Sequence, residues 1–413
     1  MRVCIVTRVV PTHGIGGMQD HAVGLAVGLV TAGHEVEVIT GRHGDGLHEE
    51  SRDGVRYHYV DAPTDDFTND VWRKRSHEEF LRMNAARPFD VVHSEGSSAL
   101  ELVRRDVHRT IPLVVMFHGN FFGLAKASIQ RQLRARRLGD LLREQRGLVF
   151  LARRHFAKGN WRVFRACEAI VPARQQLAET CRSHRLDAAR VHVVPYGIDT
   201  SVFRPRPPAE ERAALGLPGG FLFACVGRLA RDKGTHHAVR AFALAHERLA
   251  DTRLLIVGDG EERAGLERLA RELGVRDEVF FAGAQEPRRM PAYFAAADVF
   301  LFPTERDEAT GLVLLQAMAS GLPIIASKTA AIPEVVGLGE ECAMLVPPGN
   351  PSELAAAANR LYRDEGLRRR LAEKALARVR ETYSVDRMVA ATVEVYELAR
   401  HRLLLERSRP SVA

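Results

Sequence analysis

Residues 302–326, FPTERDEATGLVLLQAMASGLPIIA, join an apolar strand end to an acidic loop, a glycine, an apolar helix and a second buried strand. Gly321-Leu322-Pro323 stops the helix, because glycine takes the left-handed backbone that ends helices and proline cannot continue one. A helix opening at Gly311 turns unpaired backbone N–H groups and its positive dipole end toward the loop, which suits a phosphate. Glu308 beside that anion site would repel the ligand. A carboxylate there makes sense if the ligand also carries hydroxyls to bond, as a sugar nucleotide does.

The same alternation extends outward in both directions. Strand-sized apolar runs fall at 3–9, 36–40, 55–60, 90–93, 113–118, 169–172 and 191–195, with helical patterns at 19–32, 72–86 and 175–184 between them. Segment 200–220 is rich in proline (Pro205, Pro207, Pro208, Pro218) and reads as a linker. Strands then resume at 221–226, 253–257, 279–282, 299–302, 323–326 and 343–346, separated by helices at 236–249, 261–273 and 311–320. From Ser352 onward the pattern is helical. Strands alternating with helices imply parallel sheets covered on both faces. The expected fold is therefore α/β, two doubly wound Rossmann-like domains, 1–200 and 201–387, facing each other across a cleft. Ligands in such sheets bind beyond the carboxyl ends of the strands.

Composition agrees with this division. The chain has 413 residues, enough for two domains, and is 46% hydrophobic and 27% charged, as a soluble enzyme is. No run approaches the roughly 18 apolar residues of a membrane span. The first residues, MRVCIVTRVVP, are interrupted by Arg8 and read as a buried strand rather than a signal peptide. Five cysteines are scattered and never spaced as CxxC, with Cys4, Cys225 and Cys342 inside expected strands, which suggests reduced thiols and a cytoplasmic location. The 17 histidines form no HExxH pattern, so no metal is expected. The net charge of +7 favours anionic partners, but no zinc-finger, RRM or KH signature points to nucleic acid.

Three further loops carry candidate chemistry. Residues 11–17 open a helix with Gly16 and Gly17, where a backbone can approach a ligand closely or simply turn. This is no nicotinamide-dinucleotide fingerprint: Gly14-x-Gly16 is followed by Gln19 instead of a third glycine, and the second strand ends in Thr40 rather than an acid. Gly258-Asp259-Gly260 fails in the same way, with Arg263 at the third position. After the strand at 221–226, the loop Gly227-Arg228-Leu229-Ala230-Arg231-Asp232-Lys233-Gly234 offers two cations, Arg228 and Lys233, that suit a leaving diphosphate. The chain has no D-x-D triplet, so the usual carboxylate pair for a bridging metal is missing and these cations would replace it. His118 stands at the carboxyl end of the strand at 113–118, as a catalytic or a structural histidine.

Taken in order, these segments resemble the retaining glycosyltransferases of family 4, which have the GT-B fold. The resemblance rests on Gly16-Gly17 and the helix ending Ala32-Gly33-His34-Glu35-Val36; Phe89-Asp90-Val91-Val92-His93; His118-Gly119; and Val194-Pro195-Tyr196-Gly197-Ile198-Asp199. It continues through Val226-Gly227-Arg228-Leu229, Lys233-Gly234, Val257-Gly258-Asp259-Gly260 and Glu308 to Gly321. It implies transfer of a hexose from a nucleotide sugar, such as a UDP- or GDP-sugar, with net retention and no other cofactor. The donor would lie mostly on the second domain, and a small-molecule, glycan or lipid-linked acceptor mostly on the first. The C-terminal helix, 388–413, would cross back to the first domain.

By the same resemblance, Arg228 and Lys233 bind the diphosphate beside Gly227 and Gly258, and Gly16 and Gly17 approach it. His118 contacts the donor sugar or the reacting centre. Glu308 is the first glutamate of the E-x7-E motif, beside the sugar hydroxyls, and the backbone of Thr310, Gly311 and Leu312 completes the contacts. Gln316 replaces the second glutamate, which holds the ribose, and its amide oxygen still accepts a bond. Thr310 stands where phenylalanine is usual, the loop from Pro303 to Glu308 is one residue longer, and Tyr196 replaces a common asparagine. The implied mechanism is front-face displacement, in which the leaving diphosphate accepts the proton of the attacking hydroxyl. Alternatives on the same fold are a nucleotide-sugar 2-epimerase and a non-catalytic nucleotide-sugar-binding protein.

Residues 126–165 carry many arginines, among them Arg131, Arg134 and Arg153, with Phe156, Trp161 and Phe164 at helical spacings. They read as a surface meeting anionic lipid at the inner membrane, as a pocket wall for an acidic acceptor, or as a solvated arginine face with its aromatics in the core.

Overall fold

The computed structural model describes residues 1–408 apart from 14–15, 65–69, 120–159, 250, 307, 309 and 330. Contacts divide the chain into two compact units, Met1–Gly197 with Val385–Ala413, and Ile198–Ser384.

The first unit holds a seven-stranded sheet. Its strands are β1 (Arg2–Val6), β2 (Glu35–Thr40), β3 (Glu49–Arg52), β4 (Val55–Tyr59), β5 (Val91–Glu95), β6 (Leu113–Phe117) and β7 (Ala169–Pro172), in the order β3-β4-β2-β1-β5-β6-β7. All pairings are parallel except β3 with β4. Every residue of β1, β5 and β6 is buried, as strands covered on both faces require. The chain steps one way from β1 to β2 and the other way to β5, so the order reverses at β1/β5, where such sheets bind ligands.

The last helix, Val385–Ser408, closes this unit by packing on the first helix, Gly17–Thr31. Gly28 sets their separation: a Cβ there would lie 2.6 Å from Val389 Cγ2 and 2.7 Å from Val385 Cγ1. Arg402 then donates to the Glu168 and Ala189 carbonyls at 3.0 and 2.7 Å.

The second unit holds a parallel six-stranded sheet of β8 (Phe221–Val226), β9 (Thr252–Val257), β10 (Val279–Gly283), β11 (Val299–Phe302), β12 (Ile324–Ser327) and β13 (Met344–Val346). Its order, β10-β9-β8-β11-β12-β13, reverses at β8/β11. Helices Thr235–His246 and Pro351–Arg363 cover one apolar face, packing Phe242, Leu354 and Leu361 against Phe223, Leu254 and Ile256.

Four expectations fail locally. The run at 191–195 is no strand: His192 and Val194 donate to the Ile170 and Pro172 carbonyls, but Pro172 has no N–H to return a bond. Segment 200–220 contains the helix Pro208–Leu215, whose proline pre-sets the first turn and whose Gly216 closes it at φ +65°. Strand β3 was unforeseen because its residues, Glu-Glu-Ser-Arg, carry no apolar face. Cys342 precedes β13 rather than lying inside a strand. All five cysteines are buried and free.

Glu168 sits just before β7, 4% exposed, and accepts the Leu113 N–H at 2.6 Å. Burial pushes its pKa up to about 7. A folded-state pKa above the unfolded value means that stability is lost as pH rises from about 4.5 toward 7. Glu168→Gln keeps an acceptor for Leu113 and removes the charge. It should raise stability at pH 8 by up to about 3 kcal/mol and change it little at pH 4, measured by urea denaturation at both values.

Candidate active site

At the β8/β11 reversal the second unit gathers charged groups from two loops. β8 runs into Gly227 and Arg228, then into a single turn, Arg231–Lys233, and Gly234. Gly234 lies at φ +70°, and a Cβ there would run into the Pro303 carbonyl, so the glycine lets this loop press against the exit of β11. The contact is reinforced by the Glu305 N–H, which donates to the Asp232 carbonyl at 3.0 Å.

This approach brings Lys233 Nζ to 2.6 Å from Glu308 Oε1, and Thr304 Oγ1 donates to the same oxygen at 3.3 Å. Glu308 therefore has a cationic partner within the fold, which the loop sequence did not disclose. Arg228 is held loosely, 3.9 Å from both Asp232 and Glu261, with half its side chain exposed. Gly311 caps the helix Leu312–Ala319 at φ +73°, directing its first turn to the end of this loop. Thr310 is buried with no partner for its hydroxyl, and Gln316 is half-buried on the helix. Gly258 has a packing reason of its own, since a Cβ there would strike the Gly227 carbonyl.

The same loop contains Glu305, whose Oε1 lies 2.9 Å from His237 Nε2 and 3.9 Å from His236 Nε2. Burial next to His237 pushes the pKa of His236 down to about 4.

In the first unit, Gly16 is extended at φ −179° and Gly17 opens the first helix, so neither needs a left-handed backbone. His118 lies one residue beyond β6, as expected, but both of its ring nitrogens have partners. Nε2 contacts Glu95 Oε2 and Nδ1 contacts the Tyr196 hydroxyl, both closely. Glu95 ends β5 with 1% of its side chain exposed, and His93 Nε2 and His21 Nε2 stand 3.5 and 3.8 Å from its other oxygen. His21 stacks on Tyr196 at 4.3 Å, and the Tyr396 hydroxyl meets His93 Nδ1 at 2.9 Å.

Burial opposes a charge on Glu95, yet the facing ring of His118 outweighs it and holds the carboxyl well below its usual range. Burial pushes His21 down to about 3, so it stays neutral, and lifts the Tyr196 hydroxyl well above its usual range. With Glu95 ionised, His118 Nε2 carries the shared proton and Nδ1 accepts from Tyr196 when the ring is neutral.

Sequence reading missed Glu95, His21 and Tyr396 and ended the strand at His93. The available signal was the spacing of His93 and Glu95, which two residues apart share one face of β5. Residues 126–159 of the basic stretch lie outside the described residues. Beyond them, Phe164 packs on Phe117 at 5.4 Å and Trp161 stacks on His184 at 4.6 Å, so these two aromatics face the fold. Among the described residues, no helix is long and apolar enough to cross a membrane.

Two family models span most of the chain. Glycosyltransferase Family 4 matches residues 15–202, and Glycosyl transferases group 1 matches residues 209–378. The chain belongs to the family 4 glycosyltransferases. An uncharacterized glycosyltransferase of Methanocaldococcus jannaschii is 28% identical to this family 4 chain over 413 residues, 97% of this chain and 98% of the relative. The MMP alpha-(1->4)-mannosyltransferase of Mycolicibacterium hassiacum is 36% identical over 211 residues, 51% of this chain and 49% of its own. The chain thus aligns with about half the length of that enzyme. HepE of Anabaena, solved with UDP and glucose, superposes with a TM-score of 0.73 at 18% identity, covering 96% of this chain and 99% of its own. The fold is GT-B, two Rossmann-like α/β domains.

Glu95→Ala would leave buried histidines without their carboxylate and should cost about 3–5 kcal/mol of stability in urea denaturation. Tyr196→Phe removes one hydrogen bond and should cost about 1 kcal/mol. Equal effects from the two would show that the carboxylate is not the centre of the network.

Proposed function

We propose that this family 4 chain transfers a hexose from a nucleoside-diphosphate sugar to an acceptor hydroxyl, with retention and without a metal on the diphosphate. The observation that carries this reading is the juxtaposition of Lys233, Glu308 and the Gly311-capped helix at the β8/β11 reversal. A diphosphate entering there meets Lys233, Arg228 and helix-terminal N–H groups, and it takes over Lys233 from Glu308. The freed carboxylate then accepts hydrogen bonds from sugar hydroxyls. Gln316 sits where a ribose hydroxyl would find a neutral acceptor. HepE, bound to UDP and glucose, and the mannosyltransferase lend the donor class and the reaction class.

As the glycosidic bond breaks, negative charge grows on the departing phosphate oxygen. Lys233 and Arg228 stabilise it, and that oxygen accepts the proton of the acceptor hydroxyl attacking the same face of the sugar. No enzymic nucleophile takes part in this reaction, and Glu308 serves binding. His118 cannot serve as a free acid or base while Glu95 and Tyr196 hold its nitrogens, so its contribution is a fixed ring at the exit of β6.

Thermal melts with UDP, GDP, ADP and dTDP, each in EDTA, test the donor site. One diphosphate at 100 times its dissociation constant should add about 2.7 kcal/mol of stability, and Lys233→Ala should abolish the response. Lys233→Ala should also lower turnover of the matching sugar nucleotide by about 100- to 1000-fold, as loss of one preorganised charge does. No response to any diphosphate in EDTA would refute metal-free binding at this site.

A further inference from the structure

We propose that His236, His237 and Glu305 form a binding site for a divalent transition ion of the zinc type. The two histidines occupy the first turn of the helix Thr235–His246, and Glu305 comes from the loop after β11. One ligand atom from each lies within 4.8 Å of the other two. Their separations from Glu305 Oε1, 2.9 Å for His237 Nε2 and 3.9 Å for His236 Nε2, bracket the roughly 3.3 Å between donors around a tetrahedral ion with bonds of about 2.0–2.1 Å. Shifts of about half an ångström would complete the coordination.

A second observation points to a ligand. His236 is 5% exposed and its Nε2, directed at the carboxylate, has no hydrogen-bond partner among the described residues. A buried polar nitrogen left in that state is costly, and a metal ion would satisfy it. Adjacent residues on a helix point about 100° apart, yet the two rings are 3.9 Å between centroids and both reach toward Glu305. Glu305 keeps a third of its side chain exposed, which leaves a path for entry and a place for a water ligand. Two imidazoles and one carboxylate favour zinc, cobalt or nickel over magnesium or calcium.

Glu49, His58 and Glu79 also converge but do not make an equal candidate. Burial works against a charge on His58, and hydrogen bonds to Glu37 and Glu79 outweigh it, pushing its pKa up to about 9. That ring offers protons rather than lone pairs.

His236 lies three residues after Lys233, and Glu305 three before Glu308. A bound ion would clamp the loop carrying the carboxylate to the helix that follows the lysine. It would act on the geometry of the Lys233–Glu308 pair without touching the diphosphate, so it is compatible with metal-free donor binding.

The test is titration of chelator-stripped protein with Zn2+ by calorimetry and with Co2+ by absorption. One saturable equivalent with a tetrahedral cobalt spectrum is expected, together with a rise in melting temperature. Glu305→Gln, on a surface loop, and His237→Ala should each lose that equivalent, while Lys233→Ala should keep it. Absence of saturable binding, or an equivalent that survives both variants, would overturn the site. The response to nucleoside diphosphate in EDTA is read separately, so failure here leaves the transferase reading intact and failure there leaves this one.

Discussion

The carboxylate of Glu95 ties together several elements of the first unit. Removing an ion of that size from water costs several kcal/mol even after the protein relaxes, and only well-placed partners offset it. Its neighbours come from three elements: His21 from the first helix, His93 from the same strand and His118 from the exit of β6, whose other nitrogen meets Tyr196. Tyr396 on the last helix then holds His93 in turn. The final helix is thus fixed to the sheet by a polar contact as well as by its packing at Gly28. A helix shifted by one turn would leave His93 Nδ1 buried without a partner.

The second unit uses charge differently. The Lys233–Glu308 pair is partly exposed, a quarter for the lysine, and pairs of that kind add little to stability because water and ions compete for both partners. Its use is readiness. In the proposed reading each member already stands where the ligand would need it, so that binding would exchange one ion pair for another set of contacts.

Much of this arrangement was legible in the sequence. Alternating apolar strands and helices fixed two parallel sheets, and glycine-flanked loops at strand ends marked Arg228, Lys233 and Glu308. What escaped was convergence over long sequence distances. Local periodicity relates residues two or about 3.6 apart; Glu308 is 75 residues from Lys233, Glu305 is 68 from His237, and Tyr396 is 303 from His93. The polar end of β5 was lost because a buried strand is recognised by apolar side chains, and Ser94 and Glu95 have none. Prolines near 208 misled in the other direction, since the residue that breaks a helix interior also starts one.

The two sheets share a topology, and both place titratable groups where the strand order reverses. In the first, Glu95 is surrounded by the rings of His21, His93 and His118. In the second, one cation is held by a single carboxylate and another by contacts near 3.9 Å. Fixed positive charge is least satisfied in the second unit, and the diphosphate site proposed above rests on that. The ring of His118 in the first unit is held at both nitrogens, by Glu95 and Tyr196. The displacement proposed above, in which the leaving group acts as its own base, asks for fixed charge of the kind that the second unit holds in Lys233 and Arg228.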